Sequence, residues 1–127
     1  MKYLSHYMEE QQTKVFADTG SFFAFSPAQF EKQKQEGVVY VSVGSGLICP
    51  QEHAFNVVEK LDSIYTTAIA QDIDENGKEG VIERELANHE AYYTCSIQDT
   101  LQALKDYGIT YAEILAVYKR IAPTYNI

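Results

Sequence analysis

The stretch Val38-Val39-Tyr40-Val41-Ser42-Val43-Gly44-Ser45-Gly46-Leu47-Ile48-Cys49-Pro50, followed at once by Gln51–Ala70, decides the fold class. Its first six residues are rich in β-branched types, which suit a pleated, half-buried surface. Gly44-Ser45-Gly46 supplies a turn, and Leu47-Ile48-Cys49 pairs back before Pro50, so the segment reads as a β-hairpin. From Gln51 onward the period changes. Ala54, Val57, Val58, Leu61, Ile64, Tyr65 and Ala68 recur at spacings of three and four, which makes an amphipathic helix. A hairpin feeding directly into a long helix implies α+β.

Upstream, Leu4, Tyr7, Met8, Gln11 and Val15 share one helical face, and Asp18-Thr19-Gly20 closes that helix with Gly20 as a left-handed cap. Ser21-Phe22-Phe23-Ala24-Phe25 reads as a short strand able to join the hairpin. Ser26-Pro27-Ala28-Gln29 starts a helix running to about Glu36, with Ser26 and Gln29 as a capping box and Pro27 in the first turn. Downstream, a turn is expected over residues 72–77. A second stripe follows at Ile82, Leu86, His89 and Tyr93. Ser96 with Asp99 is expected to cap one more helix, ending at Tyr107-Gly108, and Thr110 with Glu113 to cap the last, ending before Pro123. The expectation is one domain over residues 1–127, mostly helical, with a two- or three-stranded antiparallel sheet near residues 21–49.

The chain has 127 residues and a net charge of −8. The charge is uneven: residues 51–90 hold ten acids and three bases, so they carry −7. A field of that sign repels phosphate and attracts basic protein surfaces, so direct nucleic-acid binding is not expected. No apolar run reaches the ~20 residues of a membrane span, and the N-terminus reads without a signal region. Two cysteines, Cys49 and Cys95, sit in unrelated contexts, which suits a reducing, cytoplasmic setting.

Patterns that carry chemistry are few. Asp72-x-Asp74-x-Asn76-Gly77-x5-Glu83 has the spacing of the calcium loop of the EF-hand family. The resemblance implies ligands at Asp72, Asp74, Asn76, the carbonyl of Lys78, and Glu83. It departs from the family at Glu79, where a branched apolar residue is usual, and at the polar Gln71 that precedes it. It also has no second loop to pair with. The competing reading is a helix capped at Asn76-Gly77 and restarted in a solvated acidic stretch, which needs no cofactor.

His89 lies on an apolar stripe and reads as a buried core histidine, with Glu85 and Glu90 as its titratable neighbours. No nucleophile motif occurs, and Gly44-Ser45-Gly46 is followed by a strand rather than the helix a phosphate cradle requires. The helical pair 96–106 and 110–121 has the outline of a helix-turn-helix. With three acids and three bases over residues 96–122 it lacks the basic start of a DNA-reading helix. An enzyme is therefore not indicated. Ten tyrosines, six of them from Tyr92 onward, offer interface anchors instead.

Phe22-Phe23-Ala24-Phe25-Ser26, Val43–Pro50 and Glu85-Leu86-Ala87-Asn88-His89-Glu90 resemble a family of small uncharacterised proteins carried by phages and mobile elements of gut bacteria. The resemblance implies context rather than catalysis: proteins of this kind bind a host protein, and some inhibit host defence enzymes. The expectation is a non-enzymatic binding protein in the cytoplasm of a bacterial host. Its acidic helical face, Glu75, Glu79, Glu83, Glu85 and Glu90 with Tyr92 and Tyr93, would meet a basic surface of a host protein. The alternatives are the calcium-binding module and a small nucleotide-like ligand held among tyrosines. The sequence leaves the oligomeric state open.

Overall fold

The computed structural model describes residues 2–125. The fold is α+β, mostly helical with a small antiparallel sheet. Its contacts group into two compact units. One is Leu4–Ala68, and the other comprises residues 69–125 with Lys2 and Tyr3.

In the first unit a 3-10 turn, Leu4–Tyr7, precedes helix α1, Glu9–Thr19. Gly20 caps α1 at φ 73°, and its N–H donates to the Phe16 carbonyl. Strand β1, Phe22–Phe23, and helix α2, Pro27–Gln33, follow. The α2 cap is close to that expected: Gln29 N–H donates to Ser26 Oγ at 3.2 Å. The Gln29 side chain reaches one residue further back than a capping box, accepting from Phe25 N–H at 2.7 Å.

Strand β2 is Tyr40–Gly44 and β3 is Leu47–Pro50, and the sheet order is β1-β3-β2. Both outer strands run antiparallel to β3, with Phe22 opposite Ile48 and Val41 opposite Cys49. Alternation along the strands turns Leu47 and Cys49 inward, where they join Val15 of α1 and Val57 in one buried cluster. The opposite face carries an aromatic group: Phe22, Phe30 and Tyr40 meet with ring centroids 5.4–6.1 Å apart. Gly46, at φ 80°, lies under Phe25, so any Cβ there would collide with that ring.

Helix α3 spans Ala54–Asn88 and begins in this unit. The turn expected over residues 72–77 is instead helical through Asn76, and only Gly77 leaves helical geometry, at φ 73° and ψ 156°. That backbone region is open to glycine and strained for other residues, so two helical segments meet at a kink on Gly77, as the reading of a helix stopped at Asn76-Gly77 and restarted expects.

The second unit contains the rest of α3, then α4, Ala91–Thr94, α5, Gln98–Ala103, and α6, Tyr111–Ile121. The expected stripe Ile82-Leu86-His89-Tyr93 holds only for its first two residues, which are buried. Glu90 adopts a left-handed conformation at φ 54°, which shifts the helical phase. Tyr92 is therefore buried and Tyr93 is 68 % exposed. Cys95 repeats the device at φ 60°. Ser96 does not cap α5 in the expected way: Ile97 occupies the cap position, and Ser96 Oγ receives only a long 3.4 Å bond from Gln98 N–H. Thr110 and Glu113 do form a full capping box on α6.

Candidate functional site

The chemistry-bearing residues of the second unit fall into an interior group and a surface group. Asp72, on α3 before the kink, is fully buried. Arg84, on α3 after the kink, meets it with both terminal nitrogens, Nη1 to Oδ1 at 2.7 Å and Nη2 to Oδ2 at 2.9 Å. Such a two-pronged geometry is the strong form of an ion pair. The Tyr107 hydroxyl donates to Oδ2 at 2.6 Å, and Asn76 Nδ2 donates to Oδ1 at 2.7 Å. Arg84 spends two further donors on Glu85 Oε2, at 3.0 Å, and the Lys2 carbonyl, at 2.9 Å. Its guanidinium also lies 5.7 Å from the Tyr3 ring centre.

Burial by itself would raise the Asp72 pKa. The bonds from Arg84, Tyr107 and Asn76 outweigh it and hold the carboxyl below its ordinary range. Arg84 is held charged by the same pairing, against its own desolvation. Tyr107 is pushed well above the ordinary phenol range, by burial first and then by its bond to Asp72. A carboxylate with four donors and no exposure has no lone pair facing solvent, and the group ties chain segments together.

The residues of the calcium-loop expectation are placed by the same geometry. Asp72, Asp74, Asn76, Lys78 and Glu83 lie on a kinked helix, not in a loop wrapped around a cation. Asp72 is engaged by Arg84, Asn76 is hydrogen-bonded to Asp72, and Glu83 accepts from Arg120 at 2.9 Å. Among the described residues no group of three or more His, Cys, Asp or Glu side chains is placed to hold a metal.

The surface group is narrower than the sequence suggests. Of the expected face, Glu75, Glu79 and Glu90 are exposed, Glu83 is half-buried, and Tyr93 is open. Glu85 instead turns toward Arg84, with His89 Nε2 at 3.8 Å from its other oxygen. Tyr92 is buried with its ring stacked between Tyr118 and Tyr125, at 5.5 Å and 4.4 Å. Burial raises the Tyr92 hydroxyl to a pKa of about 12. Tyr93 packs edge-on against Tyr125 at 5.9 Å and leaves one face to solvent.

Helix α6 neutralises part of the acidic face from within. Arg120 reaches Glu83 at 2.9 Å and Glu79 at 3.8 Å, while Lys78 pairs with Glu113 at 2.9 Å. Between these pairs lies a shallow groove of about 330 Å³ floored by Ile82 and Val117. The Glu113 carboxyl is lowered to a pKa of about 2 by the Thr110 backbone bond first, then by Lys78 and the Thr110 hydroxyl.

Sequence reasoning missed the Asp72–Arg84 pair, because its partners are twelve residues apart and only the Gly77 kink brings them into register. Arg84 sits between Ile82 and Leu86 of the apolar stripe, but Glu83 and Glu85 flank it, so in the sequence it reads as part of a solvated charged stretch.

No helix among the described residues is long and apolar enough to cross a membrane. No match was found among curated proteins or among solved structures. One family model matches residues 4–126, nearly the whole chain. The chain therefore belongs to the family of unknown function DUF7659.

Proposed function

We propose that the protein is a non-enzymatic binding module whose exposed carboxylates and tyrosine engage a basic surface on a partner protein. The observation that carries this reading is the coexistence of exposed Glu75 and Glu90 with Tyr93, a large aromatic left 68 % open. Tyrosine offers contact area and a hydrogen bond at low entropic cost, and carboxylates steer a basic partner into place. The most strongly perturbed buried charges are all consumed by internal pairing, which leaves the surface as the source of specificity.

A groove built for nucleic-acid phosphates is the kind of basic surface such residues fit. On this reading the partner is a nucleic-acid enzyme in the cytoplasm of a bacterial host. The resemblance to phage and mobile-element proteins makes inhibition of a host defence enzyme the corresponding role.

The test is capture of a partner from bacterial lysate with the tagged chain, followed by affinity measurements across a salt series. The expected result is a stoichiometric basic partner whose affinity falls steeply as salt rises, and falls further with Tyr93→Ala. A partner bound independently of salt and of Tyr93 would overturn the reading.

A further inference from the structure

The kink of α3 sets a reactive dipeptide against the buried ion pair. Asn76 is the last helical residue before Gly77, which leaves helical geometry at φ 73° and ψ 156°. The end of a helical segment frays, so the Asn76–Gly77 link opens more readily than one in mid-helix. Gly77 is exposed, and nothing lies within 4 Å of the position a Cβ would take there. The side-chain amide of Asn76 has a defined place. Its Nδ2 donates to Asp72 Oδ1 at 2.7 Å, the same oxygen that accepts from Arg84 Nη1.

We infer that Asn76 is a site of spontaneous deamidation whose conversion weakens the buried group around Asp72 and Arg84. The backbone nitrogen of Gly77 gives up its proton to hydroxide and attacks Cγ of Asn76. The N–Cγ bond forms, the Cγ–Nδ2 bond breaks, and ammonia leaves with a proton taken from water. A second water then opens the five-membered imide at either carbonyl, giving aspartate or isoaspartate. No electrons are transferred, and water is the only co-reactant.

Sterics single this asparagine out. Asn56, Asn88 and Asn126 precede Val57, His89 and Ile127, whose side chains crowd the ring closure, whereas Gly77 has no side chain. Its surroundings give the change its effect. Conversion puts a carboxylate in place of a donor that lies 2.7 Å from Oδ1 of the fully buried Asp72. Two carboxylates that close cannot both stay ionised. The new group therefore either holds a proton at neutral pH or swings away, and each costs stability that the amide does not. Isoaspartate also adds one backbone atom at the kink that brings Asp72 and Arg84 into register.

The experiment holds the unaltered chain in warm, mildly alkaline buffer and follows it by peptide mass spectrometry, with a sample unfolded in urea alongside. The folded chain is expected to convert at Asn76, with isoaspartate as the main product, while Asn56 and Asn88 stay intact. The melting temperature should fall by several degrees as conversion proceeds. Freshly made Asn76→Asp should melt low from the start, and Asn76→Gln, which closes a six-membered ring only slowly, should not convert. An Asn76 that stays intact in the folded chain while the urea sample converts would overturn the inference. Conversion that leaves the melting temperature unchanged would overturn the link to the buried pair. Both readouts come from the unaltered chain, so they decide the matter even where a variant fails to fold.

Discussion

At the scale of single residues the molecule is held by an acid that cannot reach water. Removing the Asp72 carboxylate strands the Arg84 charge in the interior, which costs about 3–5 kcal/mol by the usual penalty for a broken buried pair. Asp72→Ala should therefore lower the unfolding free energy by about that amount in urea. The double variant Asp72→Leu/Arg84→Met, which removes both charges, should recover most of the loss. A double variant as unstable as the single one would mean that the pair matters for more than its balance of charge. Sequence shows the arginine but not its partner, because the pairing depends on a kink whose direction is a property of the folded helix.

Glu113 shows the same logic at the surface, in a form that pH can read. Its folded pKa of about 2 lies below its ordinary 4.5. Its contribution is therefore complete above about pH 4.5 and is lost as pH falls toward about 2. Melting curves of the wild type and Glu113→Ala should be separated at neutral pH and converge across that acid window. Curves that stay equally separated down to the bottom of the window would contradict the assigned cap and Lys78 pair.

At the scale of elements, local chemistry was legible and phase was not. The caps at Ser26 and Thr110 and the left-handed stop at Gly20 depend on residues a few positions apart, so the sequence alone locates them. The hairpin follows from alternation and a glycine turn in the same way. What periodicity could not foresee is a left-handed Glu90 and Cys95, since neither residue type announces that conformation. This is why Tyr92 and Tyr93 exchange the expected inside and outside places. The 72–83 stretch is the reverse case. Its spacing satisfies a loop motif, yet a glycine at its centre kinks a helix instead. Millimolar calcium should accordingly leave the melting temperature unchanged in differential scanning calorimetry. A rise that saturates with calcium would show that the helix can open into a ligand loop.

At the scale of the whole molecule, charge is divided by accessibility. Three of the five glutamates of the expected acidic face are engaged internally: Glu85 by Arg84, and Glu83 with Glu79 by Arg120. The candidate surface was thus legible as a composition but not as a set of residues, because exposure is decided by how α3 and α6 pack. This separation yields the most direct test of the binding account. Partner capture would be compared between Glu75→Lys/Glu90→Lys and the inward-facing pair Glu85→Gln/Tyr92→Phe, with melting temperatures measured for both. The account predicts that the outward pair loses the partner at an unchanged melting temperature, while the inward pair retains it wherever the fold is intact. Retention of the partner by the outward pair, or its loss by a fully folded inward pair, would contradict the claim that function resides in the exposed carboxylates.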